Sequence, residues 1–225
     1  MGYIIFIVLT AISYFVEKSL KSKFEKYSRI PLSQPLTGKD VASKMLHDNG
    51  IDDVTVTSTR GTLTDFFNPA NRTVNLSDGV YSVNSVSAAA VAAHECGHAV
   101  QHARGYSMLR LRTALVPVVL FSSRFVMWVL LAGVFLVESF PILLEIGIAL
   151  FALTTAFSLV TLPVEIDASR RAVQWLETAG ITEGESTAYA KDALRSAAYT
   201  YVIAAVSSLA TLVYYVMILL GRSRD

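Results

Sequence analysis

The sequence predicts a mainly α-helical protein that crosses a membrane several times and carries one small polar unit organised around a single helix. Three observations predict this. Hydrophobic side chains make up 53% of the 225 residues and charged ones 16%, which is too apolar for an ordinary soluble domain. Long apolar stretches recur between charged segments. Three of the four histidines fall between His94 and His102, inside a run of small, helix-competent residues. The partner this composition demands is a lipid bilayer, and a net charge of +1 gives no argument for nucleic acid. A single cysteine, Cys96, rules out an intrachain disulfide and a Cys-rich metal site.

Residues 1–17 read as an N-terminal membrane anchor. Tyr3 to Val16 is apolar except for Thr10 and Ser13, short against the ~20 residues a bilayer needs, so the flanks take part. Basic residues follow this run rather than precede it, and no small-x-small cleavage site is present, which favours an uncleaved segment. The cluster Lys18, Lys21, Lys23, Lys26 and Arg29 then places the N-terminus outside and the chain from Lys18 onward in the cytoplasm.

Residues 18–112 form the first part of the polar unit. Gly38 to Asn49 reads as an amphipathic helix with Val41, Met45 and Leu46 on one face, Thr37 as its cap and Asn49-Gly50 as its stop. His47 on this helix reads as exposed. Val54–Thr57 and Arg72–Leu76 alternate as strands, and Asn68-Pro69-Ala70-Asn71 is turn chemistry between them, so a short β-hairpin is expected. An unpaired edge of it offers main-chain hydrogen bonds to an extended peptide; a two-strand stabilising flap is the alternative.

The run from Ser85 to Ala93 leads into His94-Glu95-Cys96-Gly97-His98, the H-E-x-x-H pattern. On a helix a four-residue step turns the chain by about 400°, so His94 and His98 share a face. Two neutral imidazoles so placed suit a Zn²⁺ ion. Glu95 stands beside such a metal without reaching it alongside both histidines, where a general base for an activated water is needed. Cys96 lies about 200° around the helix from His94 and faces away. Gly97 leaves room for a neighbouring element to approach closely.

Residues 113–163 read as a transmembrane hairpin: Thr113–Val137 and Ile142–Leu162 joined by the turn Glu138-Ser139-Phe140-Pro141. Arg124 within the first arm should face protein, water or the interface rather than lipid. Residues 164–196 return to the polar unit. Residues 197–225 hold a fourth apolar stretch, Ala197–Leu220, whose Ala204, Ala205, Ser207 and Ser208 suit close packing in lipid. Four spans put the C-terminus outside, where Arg222 and Arg224 oppose the positive-inside rule; a re-entrant fourth segment is the alternative.

A catalytic zinc needs a third protein ligand. A metzincin arrangement fails, because Gln101 and Arg104 stand where its glycine and third histidine would be. His102 lies about 12 Å along the helix axis from His94, too far to share a metal. The acidic residues of Leu162-Pro163-Val164-Glu165-Ile166-Asp167, set at the mouth of a span, are the better source. Two spans separate them from His98, which returns the chain to the same membrane side.

On these motifs the chain resembles the membrane-bound neutral zinc metallopeptidases of bacteria, the YugP-like family. The resemblance runs through Asn49-Gly50-Ile51, Leu63-Thr64-Asp65, Val80-Tyr81, Ala92-Ala93-His94-Glu95, Gly97-His98-Ala99, Val164-Glu165 and Asp167-Ala168-Ser169-Arg170-Arg171. It implies a zincin-like catalytic unit of the gluzincin kind, with Glu165 as third ligand. Two departures stand out. The related HtpX and CAAX-protease pattern has an Asp where this chain has Ser169, which leaves Asp167 as a supporting carboxylate or as the ligand itself. The family pattern follows Asp65 with His-Tyr-Asp-Pro; Phe66-Phe67-Asn68-Pro69 here bears on oxyanion stabilisation and substrate choice.

The expected function is a membrane-embedded zinc metalloendopeptidase acting on peptides or membrane proteins at the cytoplasmic face of the cell membrane. A site-2-type intramembrane protease is the rival enzyme, but its later Leu-Asp-Gly sequence is absent. A non-catalytic zinc-binding scaffold is the rival from another class, and the intact Glu95 argues against it. Substrate and oligomeric state are not encoded in any motif of the chain.

Overall fold

The computed structural model describes residues 2–222; Arg224, counted in the charge argument above, lies outside them. The chain is mainly helical: α1 (Gly2–Ser28), α2 (Gly38–Asp48), α3 (Asp78–Tyr81), α4 (Val86–Ala103), α5 (Ser107–Phe135), α6 (Pro141–Thr178) and α7 (Glu185–Arg222), with three short strands, β1 (Thr55–Thr59), β2 (Phe66–Asn68) and β3 (Thr73–Ser77). It divides into two compact units. One comprises Met1–Tyr14, Arg110–Pro163 and Tyr201–Asp225; the other comprises Phe15–Leu109 and Val164–Thr200.

Within the first unit, α5 and α6 approach so closely at Gly133 that an added Cβ would lie 2.7 Å from Leu144 Cα. An approach this close requires a residue without a Cβ on one side. Thr155 and Ser208 join α6 to α7 by a hydroxyl pair at 2.8 Å, and the rings of Phe6 and Tyr214 meet edge to face at 5.2 Å. Among the described residues, three helices are long and apolar enough to cross a membrane: Ser107–Phe135, Pro141–Thr178 and Glu185–Gly221. The N-terminal segment expected as a further span is a helix but is not one of these three. Its apolar part ends at Val16, where Glu17 and Lys18 follow.

The second unit has a core of small side chains. Val41, Ala42, Met45 and Leu46 of α2 meet Ala88, Ala89, Ala92, Ala93 and Cys96 of α4, all buried. Alanine suits both the helix and a close approach. Thr37 caps α2 in a reciprocal capping box with Asp40, and Ser85 caps α4 by accepting from the Ala88 N–H. Asp192 accepts from Lys23 Nζ at 2.8 Å and from the Tyr27 hydroxyl at 2.7 Å, which ties α1 to α7 inside this unit.

The sheet corrects the hairpin expectation. Its order is β1-β3-β2. β1 and β3, the two strands legible in the sequence, pair parallel, with Thr55 opposite Thr73 and Thr59 opposite Ser77. The hairpin is instead β2–β3, antiparallel, with Phe67 opposite Val74. The turn at Asn68–Asn71 is where expected, and Asn68 Oδ1 accepts from the N–H groups of Ala70 and Asn71. That turn reverses only the three residues before it. Residues 60–72 are long enough for the crossover a parallel pair requires.

Candidate metal centre

α4 lies in the core with Glu95, Cys96, Gly97, His98 and Gln101 buried. The glycine permits this. A Cβ on Gly97 would stand 2.7 Å from the Ala168 carbonyl oxygen of α6, so the two backbones are in contact there. That contact brings the Val164–Arg171 stretch of α6 against the histidine face of α4.

Among the described residues, His94, His98 and Glu165 come together with their ligand atoms all within 4.8 Å of one another. His94 Nε2 is 3.2 Å and His98 Nε2 3.6 Å from Glu165 Oε2. Bonds of about 2.0–2.1 Å to a tetrahedral zinc set ligand atoms roughly 3.3 Å apart, so the spacing and the two-nitrogen, one-oxygen donor set fit that ion. Glu165 is 2% exposed; a carboxylate this deep needs cationic or metal partners to offset its lost hydration.

Glu95 sits beside this group without joining it, and its Oε2 accepts the Phe67 backbone N–H at 3.1 Å. Burial pushes its carboxyl above the usual carboxylate range; His94 and His98 pull it back, while Glu165 and Asp65 push it further. Burial works against charge on His98, but the hydrogen bond to Glu165 and the charge on Glu95 outweigh it and hold the imidazole above its ordinary value. Asp65 is raised chiefly by burial. It accepts from the backbone N–H and the hydroxyl of Ser77, which fixes the chain just before Phe66 and Phe67.

The remaining residues singled out in the sequence have separate places. Asp167 is outside the ligand group and is paired with Arg170 Nη2 at 2.6 Å and Arg171 Nε at 2.5 Å. Ser169, at the position of the pattern's Asp, meets His94 Nδ1 at 3.1 Å. His102 is exposed, with its ring 5.8 Å from that of Phe67. Cys96 faces Ala42 in the core, and His47 is on the surface beside Asp52.

Two groups of consequence escaped the sequence reading. One is the Phe67 N–H on Glu95. The other is Gln101, buried between His98 Nδ1 at 3.1 Å, the Val164 carbonyl at 2.8 Å and Asp167 Oδ2 at 2.9 Å. Gln101 follows His98 by three and so shares its helix face, which was the available signal.

A family model described as "Putative neutral zinc metallopeptidase" matches residues 2–220. The chain is 42% identical over 98% of its length to a Bacillus subtilis (strain 168) protein named "Putative membrane protease YugP", of which 99% is covered. No solved structure gives a significant match. With the model spanning nearly every residue and the relative matching end to end, the chain belongs to the family of putative neutral zinc metallopeptidases.

Proposed function

We propose that this chain is a membrane-embedded zinc metalloendopeptidase that hydrolyses peptide bonds in peptides or membrane proteins, with His94, His98 and Glu165 as the metal ligands and Glu95 as general base. The observation that carries the reading is the meeting of two imidazoles and one carboxylate, His98 and Glu165 buried and His94 partly so, with a second carboxylate, Glu95, held alongside but not among them. Zinc held there supplies Lewis acidity and a water acidic near neutral pH. Glu95, beside that group, is the side chain that would accept a proton from an attacking water and return it to the leaving amine. Its burial favours the protonated form, which suits a group that must both take up and give back a proton.

β2 supports the placing of a substrate. It is one of the two outer strands of its sheet, and the Phe67 N–H on its outward side meets Glu95. An extended peptide paired along β2 would run beside that carboxylate. The three long apolar helices support a multi-pass membrane protein, and the basic cluster after Val16 supports an active site on the cytoplasmic side.

The test is zinc content together with peptide-library cleavage by the full-length protein in detergent. Glu95→Gln should keep about one zinc per chain and lose about 10²–10⁴-fold in turnover. Turnover near wild type in that variant would remove Glu95 from the role.

A further inference from the structure

We propose that Gln101 is a positioning residue that locks the tautomer of His98 and grips the turn of α6 bearing Glu165. The inference rests on the metal-site reading above. Gln101 is fully buried, and each of its polar atoms has a partner. The partners dictate its orientation. The Val164 carbonyl and the Asp167 carboxylate are acceptors only, so the amide nitrogen must face them, at 2.8 and 2.9 Å. The amide oxygen therefore faces His98 Nδ1 at 3.1 Å. An oxygen there requires the proton to sit on Nδ1, which leaves the lone pair on Nε2, the atom directed at Glu165.

The lock is one-sided. His94 Nδ1 meets the Ser169 hydroxyl, which can donate or accept and so dictates no tautomer. Asp167 keeps the Gln101 amide from flipping, and Arg170 and Arg171 hold that carboxylate in place. Val164 immediately precedes Glu165 and Asp167 follows it by two. One amide thus fixes both His98 and the backbone that carries the third ligand. Supporting partners of this kind orient a ligand and set its basicity.

The experiment uses the full-length chain in detergent and two readouts. Zinc affinity is measured by competition with a graded chelator, and the His98 tautomer by ¹⁵N-imidazole shifts in metal-free protein at a pH above the raised His98 value, where the ring is neutral. Wild type should show the Nδ1–H form. Gln101→Leu, which keeps the volume, should bind zinc about 10–100-fold more weakly and show mixed tautomers. If the leucine variant does not fold, Gln101→Glu serves. It keeps an acceptor for His98 but sets a carboxylate against Asp167 and the Val164 carbonyl, so zinc binding should weaken, and adding Asp167→Asn should recover part of it by restoring a donor to one of the two contacts.

A folded Gln101→Leu variant, or Gln101→Glu alone, with wild-type zinc affinity overturns the proposal. So does an Nε2–H tautomer at His98 in wild type. A wild-type chain that binds no zinc overturns the metal-site reading together with it, whereas zinc-binding wild type with an indifferent Gln101 overturns only the proposal.

Discussion

Gly97→Ala probes the contact on which the whole site is assembled. The added methyl would lie 2.7 Å from the Ala168 carbonyl oxygen and 3.2 Å from its Cα, against an ordinary contact of at least 3.4 Å. α4 and α6 must therefore part by about 0.7 Å, because backbone rather than a flexible side chain is in the way. Overpacking of this kind costs roughly 1–3 kcal/mol, and the better helix propensity of alanine returns about 1 kcal/mol. The net of about 0–2 kcal/mol lowers the melting temperature by only a few degrees in a chain of this size. The effect on the metal site is larger. Gly97 adjoins His98, and Ala168 is three residues past Glu165, so the shift falls directly on ligand separations of 3.2 and 3.6 Å. Metal sites tolerate about 0.2 Å in ligand distance. Zinc affinity should fall at least 10–100-fold, the range seen when a ligand's support is lost. Chelator competition on detergent-solubilised protein, with melting curves with and without zinc, measures both quantities. An alanine variant that binds zinc as tightly as wild type would refute the reasoning.

Three further outcomes follow from the same geometry. Glu165→Ala should abolish tight zinc binding, Asp167→Ala should weaken it about 10–100-fold through Gln101, and His102→Ala should leave it unchanged; metal per chain after dialysis separates them, and tight binding by Glu165→Ala with loss of zinc in Asp167→Ala would move the ligand assignment to Asp167, whereas tight binding by both would refute the three-ligand reading. Zinc affinity should fall as pH drops, by up to about tenfold per pH unit, because zinc must displace a proton from His98, whose pKa is raised by Glu165 and Glu95 against burial. The sign is fixed: a raised histidine pKa stabilises the metal-free fold below the ordinary value of about 6.5 and loses that contribution as pH rises through the raised one, so protons compete with zinc from above 6.5. A flat affinity between about pH 8 and 6 would contradict it. Cysteines placed at Lys21 or Arg170 should resist impermeant thiol reagents in intact cells while one at Ser139 reacts; native Cys96 is buried and silent, and the reverse pattern would invert the orientation.

What could be read from the sequence was what is local. The i, i+4 pairing of His94 with His98, the outward turn of Cys96, the cap at Thr37 and the close approach at Gly97 all follow from helix geometry, and each corresponds to a contact in the structure. The sheet was misread because β2 is three residues with no alternation to reveal it. The strands that did alternate were then joined by the nearest turn. Pro163 is the last residue of its stretch in the first compact unit, while α6 continues through it to Thr178. The proline leaves the Leu159 carbonyl without its helical donor, yet the flanking turns carry the helix on. Gln101 was missed because its partners on α6 lie 63 and 66 residues away, and no local pattern announces them.

The division of labour between Glu165 and Asp167 shows why helix phase, rather than proximity along the chain, decides the site. Two residues apart on one helix, their side chains diverge by about 200°, so only one can face α4's histidines directly. Glu165 does, and Ser169, one turn on, shares its face and reaches His94 Nδ1. The site is thus two matched i, i+4 pairs set against each other: His94 and His98 on α4, Glu165 and Ser169 on α6, with the Gly97–Ala168 contact between them. Asp167, turned away, reaches the centre only through Gln101 and is neutralised by the two arginines that follow it. Because both pairs are carried on unbroken helices rather than loops, their spacing is set by helix packing before any metal arrives. A substitution that rotates or separates the two helices therefore disturbs every proposed ligand at once, whereas loss of one supporting side chain disturbs one.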